Sequence, residues 1–115
     1  MSASLDLSIV IPLLNEEESL RPLFQKIQDA VGDLGLSYEA IFIDDGSTDQ
    51  SMAVLRELRE KSDAVKIIRF RRNFGKAAAY SAAFSRVRGK YVITMDADLQ
   101  DDPAEIANLI AKLEE

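Results

Sequence analysis

Four short apolar runs alternate along this chain with four longer stretches in which apolar residues return every third or fourth position. The runs are Leu5 to Leu14 (LDLSIVIPLL), Tyr38 to Ile43 (YEAIFI), Val65 to Phe70 (VKIIRF) and the start of Tyr91 to Gln100 (YVITMDADLQ). Rich in β-branched and aromatic residues and bounded by polar ones, they predict strands, and Tyr91, Val92 and Ile93 fit a strand buried on both faces. Proline removes a ladder donor, so the first strand is expected to stop at Pro12.

Between the strands the period changes. Leu20, Phe24, Ile27, Val31 and Leu34 form one stripe of an amphipathic helix starting near Ser19 or Leu20, with Pro22 in its first turn and Gly32 and Gly35 ending it. A second helix is expected over Gln50 to Lys61 and a third, rich in small residues, over Ala77 to Val87, with Tyr80, Phe84 and Val87 on one face. Gly89 turns the chain into the fourth strand. Pro103 opens a last helix whose face is Ile106, Leu109, Ile110 and Leu113. This β-α-β-α-β-α-β-α order implies a three-layer α/β/α fold with right-handed crossovers. The expected sheet is parallel, of about four strands in the order 3-2-1-4.

Composition then narrows the chemistry. At 115 residues the chain is one domain at most. No apolar run approaches the roughly 20 residues that cross a bilayer, and Met1 to Asp6 has no signal-peptide pattern, so a cytoplasmic protein is expected. Cysteine and histidine are both absent, which leaves proton transfer and metal ligation to carboxylates, amides, hydroxyls, lysine or water. A net charge of -6 argues against gripping bare nucleic acid, yet leaves room for a nucleotide held through a bridging cation. Glu114 and Glu115 follow a helical pattern with no further strand, so domain 1–115 is read as truncated at its carboxyl end.

Three strands run straight into acid. Asp96 and Asp98 follow the fourth strand, with Gln100 beyond them, and these hard oxygen donors suit Mg2+ or Mn2+ completed by a substrate's phosphates. Asp101, Asp102 and Pro103 also allow a simpler reading, an acidic loop that caps the next helix. After the second strand, Ser47, Thr48 and Asp49 read as a turn and helix cap, whereas adjacent Asp44 and Asp45 repel each other unless something binds them. The segment Pro12 to Glu16 follows the first strand. In a 3-2-1-4 sheet all three loops rim one crevice at the topological switch point. Arg69, Arg71, Arg72 and Lys76 form the concentrated positive charge. They read either as a solvated edge or, for Lys76 at a helix start, as part of a diphosphate site. The turn after the first strand is PLLNEEES, not G-x-G-x-x-G, which sets aside a dinucleotide-binding Rossmann domain. The lone phosphorylatable aspartate and late lysine of a phospho-receiver are not supplied either.

SIVIPLLNEEESL, IFIDDGSTDQS, RNFGKAAAYSAAF and YVITMDADLQDDPAEI, in that order, resemble the donor-binding half of a family 2 glycosyltransferase. DADLQDDP is most similar to the dolichyl-phosphate mannose synthase branch, which includes bacterial enzymes that load a sugar onto polyprenyl phosphate. The resemblance covers nearly the whole chain and implies a Rossmann-like GT-A nucleotide-sugar-binding half. By position it implies that Pro12, Leu14 and Glu16 contact the donor's base and ribose, that Asp44 bonds the base, and that Ala97 lines the nucleotide site through its backbone. Asp96 and Asp98, assisted by Gln100, hold the diphosphate through the cation. Asp45 and Lys76 complete the expected nucleotide-sugar-binding set. Leu14 departs from the tyrosine frequent at its place, and Asp101-Asp102 from the usual residue before the proline.

The implied reaction is displacement of UDP or GDP from the anomeric carbon, with inversion, by a polyprenyl phosphate or another lipid or sugar acceptor. An acceptor phosphate ionised at neutral pH needs no base, whereas a hydroxyl acceptor needs a carboxylate beyond Glu115. The full-length enzyme is expected at the cytoplasmic face of a membrane. Two other expectations stand beside it: a fragment that binds nucleotide and metal without turnover, and a scaffold that self-associates through an exposed sheet edge.

Overall fold

A computed structural model describes residues 5–99 and 102–114. The elements are β1 (Leu5–Leu13), α1 (Leu20–Leu34), β2 (Tyr38–Asp44), α2 (Ser51–Lys61), β3 (Val65–Arg69), α3 (Lys76–Phe84), β4 (Gly89–Thr94), a 3-10 turn (Pro103–Glu105) and α4 (Ile106–Leu113). All strand pairs are parallel, as the alternation of periods implies, and the order is the expected β3-β2-β1-β4. The carboxyl ends of β1 and β4 therefore lie side by side, with β2 on the other flank of β1.

Strand alternation separates two cores. Leu7, Ile9, Ile11 and Leu13 of β1 join Phe42, Val65 and Ile93 in the larger cluster, which the buried stripes of α1, α2 and α4 cover. Phe24 of α1 meets Phe42 edge to face, with ring centroids 6.4 Å apart. The opposite face carries Val10, Ile41 and Ile43 under Ala79 and Ala83 of α3. Alanine at both contact positions lets α3 lie close to the sheet. Each fully buried leucine or isoleucine in these layers contributes about 1.5–3 kcal/mol.

Several expected boundaries shift, each for a local reason. β1 does not stop at Pro12 but continues to Leu13, because Pro12 and Leu13 still pair with Ile43 and Asp44 of β2. Amide directions alternate along a parallel strand: Val10 O accepts from Met95 on the β4 side, and Leu13 O accepts from Asp45 on the β2 side. The donor that Pro12 lacks would face β4, where pairing has already ended at Val10 and Thr94. Gly32 lies inside α1 rather than ending it. The helix closes at Gly35, whose φ of 65° is the left-handed cap conformation that glycine favours. Leu34 ends the α1 stripe on the exposed side.

α3 begins at Lys76 and stops at Phe84, short of the expected Val87, which packs beneath it from the following loop. Gly89 is already in β4 and does not turn the chain into it. β4 is not buried on both faces: Ile93 is buried, but Val92 is exposed, since α3 covers β1 and β2 and among the described residues β4 has no neighbour on its outer edge. On α4 only Ile106 and Ile110 of the expected face are buried, while Leu109 and Leu113 are exposed.

At the amino end of the sheet a buried polar network was not expected from the sequence. Glu39 Oε2 accepts from Ser8 Oγ at 2.6 Å and from the Arg88 amide at 2.7 Å, and the Gly89 amide donates to Ser8 Oγ at 2.8 Å. It fixes where β4 enters beside β1. A Cβ at Gly89 would lie 2.4 Å from Ser8 N, so only glycine allows that approach. Among the described residues no helix is long and apolar enough to cross a membrane.

Candidate functional site

The carboxyl ends of the strands enclose a cleft of about 490 Å3. Pro12, Leu14 and Glu16 reach it from β1, Asp45 from β2, and Asp96, Ala97 and Asp98 from β4. Lys76 enters from the start of α3, together with Asn73 and Gly75. Segments far apart in sequence therefore meet as the strand order demands. After Thr94 the chain leaves the sheet, and Leu99 takes a φ of 68°, turning the loop that carries Asp96 and Asp98. Gln100 and Asp101 lie outside the described residues. Asp102 caps the following turn, its Oδ1 accepting from the Ala104 amide at 3.0 Å, so the capping role falls to a different acid from the pair in the cleft.

Asp44 and Asp45 divide the work expected of an adjacent pair. Asp44 is buried behind the cleft wall; its Oδ1 accepts from the Ser47 amide at 2.9 Å, while its Oδ2 is buried with no hydrogen-bond partner. Asp45 faces the loop that precedes α3. Its Oδ1 accepts from the Phe74 amide at 2.8 Å, and its Oδ2 from the Gly75 amide at 3.0 Å and the Asn73 side-chain amide at 3.1 Å. Asp45 thus clasps the loop that leads into α3, while the helix itself has no side-chain cap. Gly46 makes this clasp possible: its φ is +87°, and a Cβ there would stand 2.5 Å from the Arg72 carbonyl carbon. Asn73 and Gly75 are site residues that sequence reasoning missed, although a glycine just before a helix-starting lysine is the signal that could have found them.

With its backbone held in this way, Lys76 extends across the cleft to Asp96, Nζ to Oδ1, at 2.9 Å. The hydrogen bond to Asp96 and that carboxylate's charge, with further contributions from Tyr80 and Asp98, push the lysine pKa above its ordinary value. Arg69, Arg71 and Arg72 are exposed and are not part of the cleft wall; Arg72 lies over the Phe74 ring, 4.5 Å from its centroid.

The first and second loops are pinned together beside the cleft. Asn15, with a φ of 54°, accepts through Oδ1 from the amides of Thr48 and Asp49 at 2.8 and 3.2 Å, while its own amide donates to Ser47 Oγ at 2.9 Å. Ser47 and Thr48 therefore serve as loop clasps more than helix caps. Asp49 takes the Ser51 amide at 2.9 Å and the Glu17 amide at 3.2 Å. Burial opposes ionisation of Asp49, but the hydrogen bonds from Ser51 and Glu17 outweigh it and hold its pKa below the ordinary carboxylate value.

A carboxyl whose pKa is depressed by folding adds stability that is complete above its unfolded value of about 3.9 and lost as pH falls through the lower folded value. Asp49→Asn should therefore be less stable than wild type at pH 7, with the gap closing below about pH 4. Urea midpoints across pH 2–7 measure it, and a gap independent of pH would show that the charge of Asp49 is immaterial.

The cleft's donor set fits a hard divalent ion. Asp96 and Asp98 offer carboxylate oxygens one residue apart, and the Lys76 ammonium already stands as a positive partner beside Asp96. Among the described residues there is no cluster of three or more acidic side chains of the kind that closes a metal cage. Mg2+ and Mn2+ sites of this sort take one or two carboxylates and complete the shell with water and substrate phosphates.

The sequence model described as glycosyl transferase family 2 matches residues 8–115. The chain belongs to this family. Within family 2 it is 39% identical over 112 residues to a dodecaprenyl-phosphate galacturonate synthase of Rhizobium johnstonii, covering 96% of this chain and 33% of that one. It is 44% identical over 109 residues to an undecaprenyl-phosphate 4-deoxy-4-formamido-L-arabinose transferase of Klebsiella pneumoniae, covering 94% and 33%. The chain thus spans about a third of the length of these family 2 relatives.

Its fold, the α/β GT-A arrangement, is shared with a mannosyltransferase of Pyrobaculum calidifontis solved with GDP-Man and Mn2+. That likeness has a TM-score of 0.81 and 21% identity over 99% of this chain and 34% of that one. A glucosyl-3-phosphoglycerate synthase of Mycobacterium tuberculosis, solved with Mn2+, UDP and phosphoglyceric acid, has a TM-score of 0.71 and 26% identity over 95% and 39%.

Proposed function

We propose that this chain is the donor-binding part of a metal-dependent glycosyltransferase that moves a sugar from a UDP- or GDP-sugar to polyprenyl phosphate with inversion, at the cytoplasmic face of a membrane. The observation that carries the reading is the meeting of Asp96, Asp98 and Lys76 in one cleft with the β1 loop opposite. The names of the relatives, both polyprenyl-phosphate sugar transferases, favour the acceptor. Mn2+ beside a sugar nucleotide or UDP in proteins of like fold favours the ion.

Asp96 and Asp98 hold the ion, with Gln100 as a further ligand, and the chemistry such an ion supplies when bound is Lewis-acid stabilisation of charge developing on the leaving diphosphate. Lys76, its pKa raised, stays protonated at neutral pH and offers a second positive group to the diphosphate oxygens. Pro12 and Leu14 wall the base and ribose, Glu16 and the Ala97 backbone line their pocket, and the unpartnered Asp44 Oδ2 is an acceptor suited to a base N–H once the intervening wall adjusts. Asp45 serves the donor indirectly, through the loop that carries Lys76. A polyprenyl phosphate, with a second pKa of about 6, is already anionic and attacks without a base.

Titration calorimetry of the chain with UDP and GDP, with and without Mn2+, tests the donor site, and binding about tenfold tighter with Mn2+ is expected. Transfer of labelled sugar to polyprenyl phosphate by the full-length protein tests the acceptor. Equal affinity with and without Mn2+ would overturn the metal role. Mn2+-assisted binding by this chain without turnover is the expected behaviour of a donor-binding fragment.

A further inference from the structure

The Lys76 ammonium and a divalent ion make competing claims on one carboxylate. Nζ lies 2.9 Å from Asp96 Oδ1, within the field of Asp98 as well, and an ion held by these two acids would sit in the same short-range field. Two cations that close repel, so neither is held at full strength while the other stays. The lysine contact is easily opened, since its side chain is 61% and that of Asp96 39% exposed. The backbone beneath Lys76 does not have to move when this happens, because the Phe74 and Gly75 amides are fixed to buried Asp45.

We propose that Lys76 is an exchangeable counter-ion: it neutralises Asp96 before nucleotide arrives, and it passes to the diphosphate when the donor enters, releasing the carboxylate to the divalent ion. The inference rests on the reading of the cleft as a donor site and adds a coupling to it. Ion alone binds against the lysine, whereas nucleotide removes that opposition, so each ligand strengthens the other. Lys76 is then a specificity device against premature metal loading as well as a diphosphate contact.

The test is Mn2+ binding by wild type, Lys76→Met and Lys76→Arg, followed by electron paramagnetic resonance of the free ion, first alone and then with saturating UDP or GDP. Without nucleotide, Lys76→Met should bind Mn2+ about three- to fivefold more tightly than wild type, the size expected for an exposed pair. The gain in Mn2+ affinity on adding nucleotide should shrink by a similar factor. Lys76→Arg, which keeps the charge, should behave as wild type, and circular dichroism checks that each variant is folded. Unchanged or weaker Mn2+ binding by Lys76→Met without nucleotide overturns the proposal. If the wild type itself lacks Mn2+-assisted nucleotide binding, the donor reading fails together with it; if wild type behaves as expected and Lys76→Met matches it throughout, the exchange alone is refuted.

Discussion

Asp98→Ala is expected to weaken Mn2+-assisted binding of UDP or GDP by on the order of 100-fold while leaving the fold intact. Of the acids that line this cleft, Asp96 and Asp98 are the two proposed to hold the ion. Even loss of a residue that only supports a metal ligand costs about 10–100-fold in affinity, so loss of a ligand belongs at or above the upper end. Asp98 is exposed on a loop beyond β4, and exposed substitutions of this kind change stability by about 0.5 kcal/mol or less. Calorimetry with and without Mn2+ reads the first effect and the urea midpoint reads the second. A variant that retains its Mn2+-assisted affinity would remove Asp98 from the metal site.

Asp45→Ala should have the largest effect on stability, about 2–4 kcal/mol, because it removes a buried carboxylate and leaves the Phe74 and Gly75 amides without their acceptor, while Asn73 keeps only its 3.3 Å bond to the Asp45 carbonyl. For a domain of this size that corresponds to a fall in melting temperature of about 10–20 °C. The same change frees the loop under Lys76, so nucleotide affinity should also fall at temperatures where the variant is still folded. Asp45→Asn keeps one acceptor oxygen and should lie between the two. Thermal melts monitored by circular dichroism, paired with calorimetry at low temperature, separate the stability loss from the binding loss. Should the alanine variant melt with wild type, the clasp between the second loop and α3 contributes nothing.

These two acids illustrate how far the sequence could be read. Asp98 was legible because its signal is local: an apolar run with an acid pair at its end already places it at the carboxyl edge of a parallel sheet. Asp45 was legible as an acid at the same rim but not as a clasp. Its three partners come from Asn73 to Gly75, some thirty residues away, and no periodicity records which of two adjacent carboxylates turns toward that loop. The register decides it, with Leu13 O binding the Asp45 amide while Asp44 ends β2 against β3. Pro12 shows the same limit at the level of the backbone. The missing donor was visible, but whether it ends a strand depends on which neighbour it faces.

Taken alone, the order of residues determined the element types, the parallel sheet and the loops that reach its carboxyl edge, since periods of two and of three to four are local consequences of strand and helix geometry; the order 3-2-1-4 was an expectation that the strand pairing bears out. Tertiary structure alone decided that Lys76 pairs with Asp96, that Asp45 clasps the loop before α3, that Asp44 keeps an unpartnered buried oxygen and that β4 leaves Val92 exposed. Those outcomes depend on distances between segments far apart in the chain, and hydrogen bonds and charges act over a few ångströms. Only the packed sheet brings such groups within that reach.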